Sequence, residues 1–324
     1  MKCTVCREPA LIDLRRHNSN FCSDHFLKFC RDQVTRAIAD YEMIQPDDKV
    51  LVAVSGGKDS LAIWDILNAL GYEAHGLYVG LGIGDYSDTS GTYVKKFVEA
   101  RGLHLVEVDL QDTYGFDIPT GARAAKRAPC SACGLTKRHV FDGAAVDGGY
   151  DVLVTGHNLD DEAAVLFGNT IKWQTDYLAR QAPVLPARNG FPRKVKPLVR
   201  LSEREMAAYC VLAGIDYIVD ECPMAAGNRH LGHKAILNQM EAQSPGAKAD
   251  FYFNFLRSGA EHFRAEDHDD GSIGTCERCG APASGEVCAF CRLLERAGGT
   301  LPEPQPVELT ARRELPRELQ RETP

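Results

Sequence analysis

The segment Val50-Leu51-Val52-Ala53-Val54-Ser55-Gly56-Gly57-Lys58-Asp59-Ser60 decides how this chain reads. Its first five residues form a short apolar, mostly β-branched run, as expected of a strand buried on both faces of a parallel sheet. Leu61, Trp64, Leu67 and Leu70 then recur at helical spacing. Between strand and helix, two glycines permit a tight turn and a close approach to a ligand. Amide N–H groups at the helix start, with the Lys58 ammonium beside them, favour an anion. The spacing departs from G-x-x-x-x-G-K-[ST] because Asp59 follows Lys58, which disfavours a kinase-like γ-phosphate transfer. The plain structural alternative is a Gly turn capped by Asp or Ser.

Outward from this segment, short apolar runs alternate with amphipathic ones. Further strands are expected at 74–79, 103–110, 152–155 and 217–219, and helices near 92–101, 135–146 and 161–171. That alternation is the pattern of βαβ units, so the expected fold class is α/β with a doubly wound parallel sheet of about five strands. Ser202-x-x-Glu205 has the form of a capping box ahead of Met206, Tyr209 and Leu212, with Gly214 as the stop. A helical stretch over 26–42 joins the sheet region to a Cys-rich start. The expected organisation is a small module at 1–30, a helical connector at 31–48, the catalytic domain at 49–260, a second Cys-rich module at 261–297 and a loosely held Pro-rich tail at 298–324.

At 324 residues and 44% apolar, the chain can bury a sizeable core. No apolar run approaches the roughly 20 residues that cross a bilayer, and residues 1–6 lack the pattern of a secretion signal, so a cytoplasmic location is expected. The net charge of −8 excludes coating nucleic acid by bulk electrostatics but leaves room for local basic faces. Arg123, Lys126, Arg127, Lys137 and Arg138 form one such stretch with no acid among them. Arg188, Arg193, Lys194, Lys196, Arg200 and Arg204 form another, against the single Glu203. Acidic charge collects at Glu261, Glu266, Asp267, Asp269 and Asp270.

Twelve cysteines in a long, intracellular-looking chain, clustered in Cys-x-x-Cys pairs, point to metal rather than to disulfides. Cys3, Cys6, Cys22 and His25 offer four ligands at structural-zinc spacing, with His17 as a competitor for the fourth place. Cys276, Cys279, Cys288 and Cys291 form an all-cysteine set. Cys30 and Cys210 stand alone in helical patterns and read as small buried apolar residues. Cys130 and Cys133 lie within the first basic stretch, and Cys222 appears much later. Spacing alone does not join Cys222 to that pair, so a redox pair and a third zinc site both stay open.

Ser55 to Ser60 resembles the SGGxDS motif of PP-loop ATP pyrophosphatases, which cleave ATP between the α and β phosphates to adenylate an oxygen. Gly156-His157-Asn158-Leu159-Asp160-Asp161-Glu162 resembles that superfamily's second nucleotide-side motif, whose acids would hold Mg²⁺. Cys130-Ser131-Ala132-Cys133-Gly134-Leu135, followed by Lys137 and Arg138, is similar to the cluster segment of tRNA 2-thiouridine synthetases of the TtuA type, and Cys222 matches that family's third cluster cysteine. The likeness also takes in Gly82 to Ser87 and both zinc modules, which the TtcA-type cytidine thiolases lack. Wobble-uridine thiolases with similar modules are the nearest rival.

The resemblance implies an adenine nucleotide alpha hydrolase-like fold and ATP held by Ala53, Ser55, Gly56, Gly57, Lys58, Asp59 and Ser60, with Val79 near the adenine and Gly156 near the ribose or α phosphate. It implies Lys137 against the α phosphate or adenylated oxygen, with Asp59, Lys137 and Asp161 as the catalytic set. It further implies a [4Fe-4S] cluster on Cys130, Cys133 and Cys222, two Zn²⁺, a homodimer, tRNA as substrate, and sulfur from a ubiquitin-like carrier's thiocarboxylate or from free sulfide. The modified base would be the uridine at tRNA position 54. Two readings from other classes are a PP-loop amide-forming ligase and a zinc-stabilised RNA-binding adaptor.

Overall fold

The computed structural model describes residues 1–188, 190–225, 229–263 and 273–302. Glu266, Asp267, Asp269 and Asp270 of the acidic group lie outside these residues, as do residues 303–324 of the tail. The chain opens with a hairpin, β1 (Ile12–Leu14) and β2 (Ser19–Phe21), followed by α1 (Ser23–Asp40). Then come β3 (Val50–Val54), α2 (Lys58–Ala69), β4 (Ala74–Gly80), α3 (Gly84–Arg101), β5 (Leu105–Asp109), α4 (Leu110–Tyr114), α5 (Ile118–Ala124), α6 (Pro129–Asp147), β6 (Val152–Thr155) and α7 (Leu159–Ile171). The next elements are α8 (Thr175–Ala179), β7 (Val184–Leu185), β8 (Arg193–Val195), α9 (Glu203–Leu212), α10 (Arg229–Gln243) and α11 (Ala247–Asn254). A small ribbon, β9 (Gly274–Thr275) with β10 (Pro282–Ala283), and α12 (Ala289–Ala297) complete the fold.

The central sheet has six strands in the order β5-β4-β3-β6-β8-β7, parallel except for β7. The chain runs from β3 outward through β4 to β5 and then returns to the other side of β3 with β6. The order therefore reverses between β3 and β6, and the carboxyl ends of those strands form the crevice in which open α/β sheets bind ligands. Alternate residues of β3 serve opposite faces. Val50, Val52 and Val54 enter a core with Trp64, Leu67 and Tyr209, while Leu51 joins Leu77, Leu153 and Phe290 on the other side. Burial on both faces explains why β3 reads as an unbroken apolar run.

The strand expected at 217–219 does not form. The sheet position beyond β6 belongs to β8, with Val152 opposite Arg193 and Val154 opposite Val195. A strand built from Arg193-Lys194-Val195 has no apolar alternation to announce it. Residues 217–219 are instead an irregular segment whose Ile218 N–H donates to the Gly56 carbonyl at 2.9 Å. Three helices begin earlier than expected. The first residues of α3 are small and polar, yet Ser87 and Ser90 are buried under the Tyr78 hydroxyl, which donates to the Ser87 carbonyl at 2.8 Å. Pro129 opens α6, a position that needs no N–H, so Cys130 and Cys133 lie in its first turns. Asn158 caps α7. The strand expected over 103–110 stops at Asp109, whose carboxylate caps α4.

Candidate active site and metal centres

The phosphate loop is drawn tight by its own polar groups. The Ser55 N–H donates to Ser60 Oγ at 3.1 Å, and that hydroxyl donates to the Gly57 carbonyl at 3.0 Å. Gly56 has φ +74°, and a Cβ there would lie 2.5 Å from the Ser90 carbonyl oxygen. At the neighbouring strand end, a Cβ on Gly156 would fall 2.9 Å from the Ser60 backbone nitrogen. Only a glycine lets β6 close on the first turn of α2, and this approach brings the two nucleotide-side motifs together.

The charged groups beside this junction form a continuous run. Lys58 Nζ lies 3.1 Å from Asp59 Oδ2 and 2.8 Å from Glu203 Oε1. Lys234 Nζ, from α10, lies 3.1 Å from Glu203 Oε2 and 2.6 Å from Asp161 Oδ1, with His230 Nε2 3.7 Å from the same carboxylate. Asn158 Nδ2 donates to Asp59 at 2.9 Å and ties the motifs together. Burial alone would raise the Asp161 carboxyl, but His230 and Lys234 outweigh it and hold it well below the usual carboxylate range. Asp59 is pushed up by burial, with Lys58 acting against the rise. Burial would lower both lysines, but Asp59 and Glu203 raise Lys58, and Asp161 and Glu203 raise Lys234, so both stay charged.

Not every acid of the second motif faces the loop. Asp160 pairs with the buried Lys248 and accepts from the Glu203 N–H at 2.9 Å. Glu162 takes Lys196 at 2.8 Å and Gln181 at 3.0 Å deep in the fold. Asp161 alone faces the phosphate loop, while also closing a capping box with Asn158. Lys234 and His230 drew no expectation from the sequence, while Asn158 was named only within its motif and Glu203 only as the acid of a basic stretch. As the one acid there, Glu203 could have been suspected of a role, but α10 carried no motif.

The two zinc-type sets assemble as four-ligand groups. In each, the four ligand atoms lie within 4.8 Å of one another. The Cys6 and Cys22 sulfurs are 3.8 Å apart, as are those of Cys279 and Cys288, and those of Cys276 and Cys291 are 3.9 Å apart. A tetrahedral ion with Zn–S bonds of about 2.3 Å spaces its sulfurs by roughly 3.8 Å, so both sets fit zinc. The modules share one design, since Cys22 caps α1 and Cys288 caps α12, placing ligands at a positive helix end. In the second module the Cys288 N–H donates to Cys276 Sγ and the Cys291 N–H to Cys288 Sγ, holding the sulfurs in place. His17 is not a ligand here, for its ring packs edge-on to Phe29 with centroids 4.9 Å apart. Cys30 and Cys210 are fully buried with thiols pushed up by burial, in keeping with an apolar role.

Cys130, Cys133 and Lys137 occupy one face of α6 at helical spacing. Cys130 Sγ sits 3.6 Å from the Met224 carbonyl, which brings the turn that carries Cys222 against this helix. Burial pushes the Cys133 thiol up, Lys137 is the main cation opposing that, and Cys222 and Cys130 act on the same thiol. Cys133, Cys222 and Met224 border one apolar core. Among the described residues these three sulfurs belong to no group packed within 4.8 Å. Three cysteines with no fourth ligand packed against them make a donor set for a cluster that keeps one iron open, and not for a closed tetrahedral zinc site. Cys222 lies four residues beyond Ile218, whose N–H is on Gly56, so the chain allows it at most about 14 Å from the phosphate loop.

Residues 2–27 match the family described as 2-thiouridine synthetase TtuA, N-terminal LIM domain, and residues 27–226 match the PP-loop domain. The tRNA-5-methyluridine(54) 2-sulfurtransferase of Thermus thermophilus is 47% identical over 295 residues, covering 91% of each chain. The chain belongs to the TtuA-type family of PP-loop enzymes. More distant from this TtuA-type chain is the Cytoplasmic tRNA 2-thiolation protein 1 of Caenorhabditis elegans, 28% identical over 90% of this chain and 79% of the relative. The solved structure of the U34-tRNA thiolase NcsA from Methanococcus maripaludis with its [4Fe-4S] cluster superposes with a TM-score of 0.78. It is 26% identical and covers 91% of this chain and 96% of that one.

The basic stretches diverge in this TtuA-type fold. Arg193, Lys194, Lys196 and Arg200 are paired with Asp48, Asp142, Glu162 and Asp40, so much of the second stretch is consumed in holding the fold and does not form the open face expected of it. Arg123, Lys126, Arg127 and Arg138 are exposed, and none has an ion pair among the described residues. Arg123, Lys126 and Arg127 precede the start of α6, and Arg138 follows Lys137 along it. Among the described residues, no helix is long and apolar enough to cross a membrane.

Proposed function

We propose that this chain is an ATP-dependent tRNA-uridine 2-sulfurtransferase acting on the uridine at position 54, in the cytoplasm. The observation that carries the reading is the junction at Gly56, where the phosphate loop is hydrogen-bonded to the segment that delivers Cys222. Adenylation and sulfur delivery must meet within bonding reach of one base, and this junction sets the two functions side by side. The 47% identity to a position-54 enzyme, against 26% to a position-34 enzyme, favours the T loop over the wobble base.

In this mechanism Ala53, Val79 and Gly156 line the adenosine side, and the loop from Ser55 to Ser60 seats the β and γ phosphates on backbone N–H groups and Lys58. Asp161, kept ionised by its cationic neighbours, would hold Mg²⁺ on the phosphates, with Asp59 in support. Lys137, one turn beyond Cys133, neutralises charge as the C2 oxygen attacks the α phosphate and pyrophosphate leaves toward Lys58. A cluster held by Cys130, Cys133 and Cys222 would supply an iron with an open coordination position, a Lewis-acid seat for sulfur. Arg123, Lys126, Arg127 and Arg138 hold the tRNA backbone around this opening. The sulfur donor is a carrier thiocarboxylate or sulfide, and the working unit is a homodimer.

The test is anaerobic turnover by the purified protein with unmodified tRNA. The expected outcome is AMP and pyrophosphate formed only when tRNA is present, with 2-thiouridine mapped to position 54. Thiolation at position 34 would instead establish the wobble reading. A colourless protein that turns over ATP without tRNA would favour an amide-forming ligase.

A further inference from the structure

Glu203 is clasped by two lysines from different parts of the chain. One of its carboxylate oxygens takes Lys58 at 2.8 Å and the other takes Lys234 at 3.1 Å. The carboxylate is aimed there by its backbone. Glu203 opens α9, Asp160 accepts its N–H at 2.9 Å, and Asp160 is itself fixed by the buried Lys248. The side chain remains 39% exposed, whereas Lys58 and Lys234 are 21% and 16% exposed. An anion thus lies between two largely enclosed ammonium groups at the mouth of a phosphate-binding loop.

We infer that the Glu203 carboxylate occupies the seat of the leaving pyrophosphate, and that Lys234 is the second cation of that seat, opposite Lys58. The inference rests on the nucleotide reading above and deepens it. A diphosphate carries more charge than a carboxylate and has oxygens on both ends, so it can engage the two lysines at once while Glu203 swings out toward solvent. Lys234 also holds Asp161, so a cation on Asp161 and a phosphate on Lys234 would be placed by the same side chain. The seat then closes only when α10 is docked beside α7, which makes that helix part of the ATP site.

The experiment is equilibrium titration of the full-length protein with ATP, AMP and inorganic pyrophosphate. Lys234→Gln is expected to weaken ATP and pyrophosphate by about 10-fold to 100-fold, the value of a hydrogen bond between charged groups, with AMP within about twofold of the parent. Lys234→Arg should recover most of that loss. Glu203→Gln, which removes the competing charge, should tighten ATP and pyrophosphate by roughly threefold or more. AMP weakened in step with ATP would overturn the assignment of Lys234, since a general disturbance of the pocket does not distinguish the two nucleotides. Looser ATP binding in Glu203→Gln would overturn the placeholder role, even if Lys234→Gln proved too unstable to measure. A parent protein that binds neither ATP nor pyrophosphate would sink the nucleotide reading itself, a result separate from any difference among variants.

Discussion

The cysteines of the two terminal modules and those of the catalytic domain meet opposite demands. In the modules four ligands face one point, sulfurs stand 3.8 to 3.9 Å apart, and backbone N–H groups brace them, so a bound ion has no position left for substrate. Cys130, Cys133 and Cys222 are only three, form no such tight group among the described residues, and lie on or against a helix whose exposed cations have no ion pair among those residues. A closed set contributes to folding and an open set to chemistry. The same division separates the basic stretches, one consumed by Asp40, Asp48, Asp142 and Glu162 and the other left free.

The largest effect should come from breaking the open set. Cys222→Ala is expected to cut tRNA thiolation by about 100-fold or more, with ATP affinity within about twofold of the parent. Full thiolation in that variant, measured by nucleoside mass analysis, would remove the catalytic role of the trio. Breaking a closed set should act on stability instead. Cys291→Ser is expected to lower bound zinc from two ions to one and to cost about 3 kcal/mol or more. Calorimetry should show a fall of roughly 5 °C or more in the melting temperature, with ATP binding retained.

How much of this was legible in the sequence follows from the range over which each signal acts. The phosphate loop, the capping box at Ser202 and both zinc sets are local patterns, and each assembles from residues close in sequence. The α/β class was legible too, because β3 carries both faces of its burial in five residues. Long-range pairing was not. Arg193-Lys194-Val195 enters the sheet because the partners of its cations, Asp48 and Asp142, come from distant segments, and no alternation within three residues records that. Tyr217 to Val219 looked like a strand by composition, but Val219 is 81% exposed and the backbone is used on Gly56. Lys234 is ordinary in its own helix and acquires meaning only from Asp161 and Glu203, each about 30 residues or more away.

Charge changes sharpen the contrast with a smaller effect. Arg123→Glu with Arg127→Glu should raise the KM for tRNA about tenfold and flatten its salt dependence by roughly one log–log unit for each phosphate no longer neutralised, with ATP binding unaffected. Lys194→Gln should leave the salt dependence alone and lower stability by about 1 kcal/mol, since it strands Asp142 in a part-buried site. Equal effects of the two changes on tRNA would erase the distinction between free and consumed cations.

The narrowest effect, confined to a window of pH, concerns how a closed module is joined to the catalytic domain. The His139 ring of α6, two residues beyond Lys137, stacks on Phe290 of α12 at 3.8 Å and 13°. Burial there pulls the imidazole down to about 4. An unfolded chain binds a proton at this histidine near pH 6.5, whereas the folded one resists until about 4. Between those values the unfolded state holds more protons, so stability is lost as pH falls through that window and is indifferent to this group above it. The full shift corresponds to at most about 3 kcal/mol. His139→Phe keeps an aromatic face on Phe290 and carries no proton. Its stability should therefore fall less than the parent's between pH 6.5 and 4, as read from denaturant unfolding at each pH. Cysteine ligands lose zinc over a similar range in both proteins, so the difference between the two curves isolates the histidine. Superimposable curves would mean that the folded state does not hold this imidazole neutral against Phe290.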